Sequence, residues 1–266
     1  MIPIKEPWEY PMMRTAGRLL AEVIEVVREQ VVVGISPLEL DRICEEQILK
    51  RGARPAFKGY QVGGAVFPNT LCSSKNAQIV HGIPDAVPLV EGDLISLDFG
   101  LEYAGYFADS AFSVYLGNPS ERVRRLLDVA EQSLYMAIST ALPGARIGDI
   151  GHRVQSMAEA AGFGVIRDYV GHGIGRRLHE APSVPNFGKA GTGTLIKAGM
   201  CLAIEPMITL GSHRTKTLKD RWTVVTADGS LAAHFEHSVL VTAEGPEVLT
   251  SFRSPSFSPK STDEPA

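Results

Sequence analysis

Apolar residues recur at helical spacing near the start of the chain. Met13, Ala16, Leu20, Val23, Ile24, Val27 and Val31 share one face and predict a long amphipathic helix over 12–32. A second helix is signalled by SPLELDRICEEQILKRG. There Ser36 is an N-cap, Pro37 fits the first position, Glu39 completes a capping box and Gly52 ends the helix. The plan then returns. Val123, Leu126, Leu127, Ala130, Leu134, Ala137 and Ile138 predict another long helix, and Ile150, Val154, Met157 and Ala158 predict its partner. Gly144 and Gly162 stand 110 residues after Gly34 and Gly52. A second echo, offset by 107, aligns EGDLISLD (91–98) with AGMCLAIE (198–205) and sets Asp98 against Glu205. Two helices followed by strands, twice, predict one α+β domain over 1–250 with pseudo-twofold halves. The last segment, SFRSPSFSPKSTDEPA (251–266), lacks apolar periodicity and reads as a disordered tail.

Composition narrows the class. With 266 residues, 44% hydrophobic and 21% charged, usage is that of an ordinary globular protein with a sizeable core. A net charge of −4 provides no basic field for nucleic acid. Cys44, Cys72 and Cys201 are odd in number and form no CxxC, which fits a reducing compartment and disfavours a disulfide framework or a thiolate zinc site. No signal-like segment and no run long enough to span a bilayer is present, so a soluble cytoplasmic protein is expected.

Four acids stand in strand-like surroundings: Asp98 in DLISLDFG, Asp109 in YFADSAFSVYLG, Glu205 in CLAIEPM and Glu236 in LAAHFEHSVLVT. A hairpin closing around LEYAG would set Asp98 directly opposite Asp109, with Cβ atoms ~5 Å apart. Two ionised carboxylates that close are costly unless a cation lies between them. One ion pair could account for one acid, but none of the four runs contains Lys or Arg. A metal site is therefore favoured, and four carboxylates suggest two ions sharing bridging ligands. The stretch YVGHGIGRRLHEAP adds His172 and His179. Its glycines argue against a helix and are read as an irregular link that holds the two imidazoles apart. His152 and His213 read as solvent-facing, and His234 and His237 flank Glu236 with a supporting role open to them.

Together these motifs resemble the type I methionine aminopeptidases, metallopeptidases of the pita-bread fold. VHGIPD, SLDFG followed by ADSA, GHGIGRRLHEAP, AIEPM and LKDRWTVVTADGSLAAHFEH stand in family order, and the match runs from about Ile4 to Thr250. The resemblance implies a pseudo-twofold α+β fold around an antiparallel sheet. By position, it makes Asp98 the chelating aspartate of one ion and Asp109 and Glu236 bridging ligands. His172 and Glu205 would complete the second ion's ligands. His81 and His179 match histidines that touch substrate without binding metal. The implied reaction is removal of an N-terminal methionine before a small second residue, by a metal-bridged hydroxide. His179 would steady the carbonyl oxygen, His81 would contact the scissile nitrogen and Glu205 would pass a proton to the leaving amine. The cofactors would be two divalent ions, of Co, Mn, Fe or Zn.

For the methionine slot the resemblance points to Tyr60, Phe67, Cys72, Leu178 and Trp222. Two departures fall there. Leu178 replaces the family's common Phe, and YQVGGAVFP is about four residues longer than usual between Tyr60 and Phe67. The implied partners are the N-termini of nascent polypeptides, with the ribosome as a meeting place, and the enzyme is expected to be a monomer binding neither nucleic acid nor membrane. Alternatives are an X-Pro-specific relative, which usually carries an extra N-terminal domain, and a binding protein that has lost its ligands. Type II methionine aminopeptidases need an insertion for which the 25 residues between His179 and Glu205 leave no room.

Overall fold

The structure is a computed structural model that describes residues 2–252. The tail expected from 251 onward falls almost wholly outside them. Four helices form where apolar spacing places them: α1 (Tyr10–Glu29), α2 (Pro37–Lys50), α3 (Glu121–Ser139) and α4 (Ile147–Ala160). Ser36 Oγ accepts from Glu39 N, and the Glu39 carboxylate accepts from Ser36 N, so α2 carries the expected capping box. α1 stops at Glu29, short of the expected 32. The run Val31–Val33 is β-branched and resists helix, and Gly34 then turns the chain at φ +97°.

The core of the molecule is a nine-stranded antiparallel sheet. Its main strands are β1 (Leu71–Lys75), β2 (Leu94–Tyr103), β3 (Tyr106–Tyr115), β4 (Gly171–Gly173), β5 (Glu180–Val184), β6 (Cys201–Ile204) and β7 (Glu236–Val241). From β2 the order runs β3, β7, β6, β4, β5, with β1 on the other edge of β2. Alternation in β2 sends Ile95, Leu97, Phe99 and Leu101, all fully buried, to one face and Ser96, Asp98, Gly100 and Glu102 to the other. On the apolar face Phe99 stacks on Phe112 at 5.8 Å. The pseudo-twofold is present in the backbone. Gly34 and Gly144, Gly52 and Gly162, and Gly92 and Gly199 pair with φ of +97° and +93°, +69° and +80°, and +98° and +88°. The two halves meet where β3 pairs β7.

Two expectations need correction. The β2–β3 hairpin turns at Ala104 and Gly105, both left-handed at φ +50° and +86°, so Asp98 pairs with Ala111 and Asp109 with Gly100. A two-residue turn with both residues left-handed matches the twist of the strands and fixes this register. The aspartates share a face as diagonal neighbours and do not oppose each other. The glycine-rich link is also not irregular at His172. Gly171–Gly173 is a strand paired on both sides, with His172 opposite Ala203 and Ser183. A Cβ on Gly171 would lie 2.4 Å from Ala203 O, and one on Gly173 2.3 Å from Ala181 O. Those glycines serve close packing of strands.

The segment leading into α1 is strapped across the loop between β4 and β5. Lys5 Nζ meets Glu180 Oε2 at 2.5 Å, with the two side chains 3% and 5% exposed. Glu9, equally buried, accepts from Tyr106 Oη at 2.9 Å and from Arg176 Nη2 at 2.8 Å. Gly175 makes room, since a Cβ there would lie 2.0 Å from Lys5 Cε. Breaking such a buried pair from one side strands the other charge. Lys5→Met is therefore expected to lower stability by about 3–5 kcal/mol, and adding Glu180→Gln should recover part of that loss. Denaturant unfolding of both variants checks this; equal loss in single and double variants would disprove the pair's role.

Candidate active site

The acids converge because two adjacent rows cross the sheet on one face. In one row Asp98, Ala111 and Glu236 lie side by side on β2, β3 and β7. In the next, His172, Ala203 and Ser238 lie side by side on β4, β6 and β7. Asp109 shares the face of Ala111 two residues earlier, and Glu205 follows the end of β6. The small residues Ala111 and Ala203 sit between the polar ones and leave space above the sheet. Hydroxyls secure the strand pair beneath Asp109 and Glu236. Ser110 Oγ donates to Glu236 O at 2.7 Å, while Ser238 Oγ accepts from Asp109 N and donates to Asp109 O.

One ligand atom each from Asp109, His172 and Glu236 lie within 4.8 Å of one another. His172 Nε2 is 3.6 Å from Glu205 Oε1 and 3.8 Å from Asp109 Oδ2. Its Nδ1 is 2.8 Å from Gly173 O, a bond that requires the proton on Nδ1 and leaves a lone pair on Nε2 facing two carboxylates. Burial raises all four acids above the usual carboxylate range, Asp98 to about 6 and Glu205 to about 8, with Asp109 and Glu236 well above their ordinary values. Neighbouring carboxylates add to the shift at Asp109 and Glu236. Burial also pushes His172 down to about 3 and His81 to about 4. The Oδ1 atoms of Asp98 and Asp109, Glu236 Oε1 and His234 Nε2 are buried without a hydrogen-bond partner. Lone pairs facing lone pairs, with no cationic side chain among them, fit a divalent cation of hard to borderline character.

Above the cluster opens a cavity of about 230 Å³. All twelve residues singled out from the sequence line it: Tyr60, Phe67, Cys72, His81, Asp98, Asp109, His172, Leu178, His179, Glu205, Trp222 and Glu236. The apolar wall is aromatic, with Phe67 edge-on to Trp222 at 5.2 Å and His81 edge-on to the same ring at 6.3 Å. His179 stands 4.3 Å from His172, ring centre to ring centre, and its Nδ1 is 2.7 Å from Tyr60 Oη. His81 is held at φ +58°, a left-handed conformation uncommon outside glycine.

The structure adds Phe57 and Val62 to the lining. It also separates the two histidines that flank Glu236. His234 Nε2 reaches Glu205 Oε2 at 3.6 Å and Glu236 Oε2 at 3.9 Å. His237 instead contacts Ser110, Thr250 and Tyr135. Alternation was the available signal, because residues two apart share a face. His152 and His213 are exposed, as expected.

The model of metallopeptidase family M24 matches residues 11–243. A methionine aminopeptidase of Clostridium perfringens is 48% identical over 94% of this chain and 99% of its own length. Methionine aminopeptidase 1 of Bacillus subtilis is 46% identical with the same coverage. The crystal structure of methionine aminopeptidase from Thermotoga maritima superposes with a TM-score of 0.91 at 43% identity, covering 94% of this chain and all of that one. Prolidase from Pyrococcus furiosus shares the fold, with a TM-score of 0.75 at 21% identity, but this chain covers only 66% of it. Fold, cluster and relatives agree: the chain belongs to metallopeptidase family M24 and, within it, to the type I methionine aminopeptidases.

Proposed function

We infer that the protein removes the N-terminal methionine from peptides with a small second residue. The observation that carries this reading is the meeting of four carboxylates and an imidazole at the floor of a cavity whose wall is an apolar slot. We propose that Asp98, Asp109, His172, Glu205 and Glu236 hold two divalent ions, with Asp109 and Glu236 shared between them. The donor set accepts Mn, Fe, Co or Zn. Such ions would supply Lewis acidity and activate water near neutral pH.

The protein's own groups then have distinct tasks. Tyr60, Phe67, Cys72, Leu178 and Trp222 would hold the methionine side chain, a flexible thioether suited to an apolar slot. Tyr60 Oη lies 2.7 Å from His179 Nδ1; a proton donated by the phenol would place the imidazole proton on Nε2, where it would meet the carbonyl oxygen as charge develops there. His81, neutral at physiological pH, would contact the scissile nitrogen. Glu205 would carry a proton on its carboxylate to the leaving amine. A small second side chain would suit an amide brought up against the cluster, whose residues line the same cavity of about 230 Å³. Natural substrates would be the N-termini of newly made polypeptides, met in the cytoplasm and at the ribosome by a monomeric enzyme. Among the described residues no helix is long and apolar enough to cross a membrane.

The direct test compares kcat/KM for Met-Ala-Ser, Met-Lys-Ser and Leu-Ala-Ser on metal-loaded enzyme. Met-Ala-Ser should be the preferred substrate. Cleavage of Leu-Ala-Ser at the same efficiency would refute methionine specificity. Leu178→Phe should change the ratios by no more than the ~1–3 kcal/mol typical of one pocket contact.

Variants should sort by role. Asp109→Asn and Glu236→Gln should lose both activity and metal content, since an amide cannot supply a bridging charge. His179→Ala should lose kcat by of order 10²-fold or more while keeping its metal. Loss of metal from His179→Ala, measured by elemental analysis, would show that the two histidines have been assigned the wrong way round.

Metal binding should release protons. Without an ion Glu205 keeps its proton up to about pH 8, and a ligand must shed it to bind. Affinity should therefore climb as pH rises from 6 to 8, by up to about tenfold per pH unit per proton released, and level off above. Calorimetric titration at several pH values checks this, and a flat profile would contradict it.

A further inference from the structure

The hairpin between Tyr60 and Phe67 takes no part in the cluster, and it is where this chain runs longer than its family's pattern. Its ladder begins at the slot itself, with Gly59 N donating to Phe67 O at 2.9 Å and Phe67 N donating to Tyr60 O at 2.8 Å. It continues outward through Gln61 opposite Val66 and Val62 opposite Ala65, and turns at Gly63 and Gly64 with φ of +53° and +79°. Val62 and Ala65 therefore share one face and Gln61 and Val66 the other. Val62 lines the active-site cavity yet is 55% exposed, which places it on the rim. The hairpin tip is tied to the opposite wall. Arg221 Nη2 donates to Gly63 O at 2.5 Å, and Arg221, itself left-handed at φ +69°, adjoins Trp222 of the slot. The hairpin is thus a continuation of the slot wall, anchored at both ends, with Val62 more than half exposed at the cavity rim and Ala65 partly buried beside it.

An extended peptide turns its first and third side chains to the same side, about 6.6 Å apart. If the first lies against Tyr60 and Phe67, the third leaves the cavity along the strands that rise from those residues. We propose that Val62 and Ala65 form a subsite for an aliphatic side chain at the third position of the substrate, held in place by Arg221. This rests on the aminopeptidase reading above and extends it to a residue beyond the scissile bond.

The test uses the peptide amides Met-Ala-Leu, Met-Ala-Ser and Met-Ala-Lys with metal-loaded enzyme. It is read as ratios of kcat/KM, so that any general loss cancels. The wild type should prefer Leu over Ser at the third position by about 3- to 10-fold, as burial of part of one aliphatic side chain implies. Val62→Ser should bring that ratio close to one. Val62→Asp should reverse the order of Leu and Lys. Arg221→Ala, which frees the tip and leaves every cavity residue in place, should also flatten the preference. Identical ratios in the wild type and all three variants would overturn the subsite. Failure to cleave any of the three peptides would instead overturn the aminopeptidase reading.

Discussion

Four carboxylates share one buried cavity, and among the described residues no lysine or arginine pairs with them. Each has lost water, the neighbouring carboxylates add to the cost of ionising Asp109 and Glu236, and the imidazole beside them turns a lone pair inward. This electrostatic demand for a cation explains features that otherwise look unrelated. Ala111, between Asp98 and Glu236, and Ala203, between His172 and Ser238, keep space open above the sheet. The hydroxyls of Ser110 and Ser238 bind backbone of the acid-bearing strands and leave the carboxylate oxygens free. A site of this kind is specified by the strands that carry it. The ladder sets where each carboxylate stands, and hydrogen bonds to the backbone hold the strands without using the carboxylate oxygens.

Much of this was legible before any coordinates. Helical spacing located α1 to α4, and a charge inside an apolar run singled out Asp98, Asp109, Glu205 and Glu236. What failed was finer. A direct Asp98–Asp109 pairing assumed a turn centred between the two aspartates. The left-handed pair Ala104–Gly105 moves the turn centre and makes the acids diagonal. The glycines around His172 were read as freedom, whereas two of them admit a neighbouring carbonyl that a methyl group would block. His234 could have been preferred to His237 by strand alternation alone. The strap from Lys5 to Glu180 left no local trace, because nothing near a single lysine names a partner 175 residues away until the fold brings it there.

The slot and the cluster divide the molecule's chemistry. The cluster draws on both halves of the pseudo-twofold, and its backbone is fixed by a continuous sheet. Most of the slot is carried by a hairpin, a loop and a turn, with Cys72 alone standing on a strand of the sheet, β1. Both departures from the family's pattern, Leu178 and the longer 60–67 segment, lie in the loop and the hairpin. Such segments tolerate change more easily than paired strands do. Side chains on those segments can therefore change while the sheet that carries the four acids keeps its register.

The straps also impose an order in time. A ribosome adds roughly 5–20 residues per second. Lys5 is therefore made about 9–35 s before Glu180, and longer still before Glu236. The β2–β3 hairpin is local and can form early with its two aspartates in water. It becomes a buried site only when β7 docks along β3 and Leu249 closes onto Gly17 of the first helix. Enclosing the costliest charges of the molecule thus draws on segments from near both ends of the described residues.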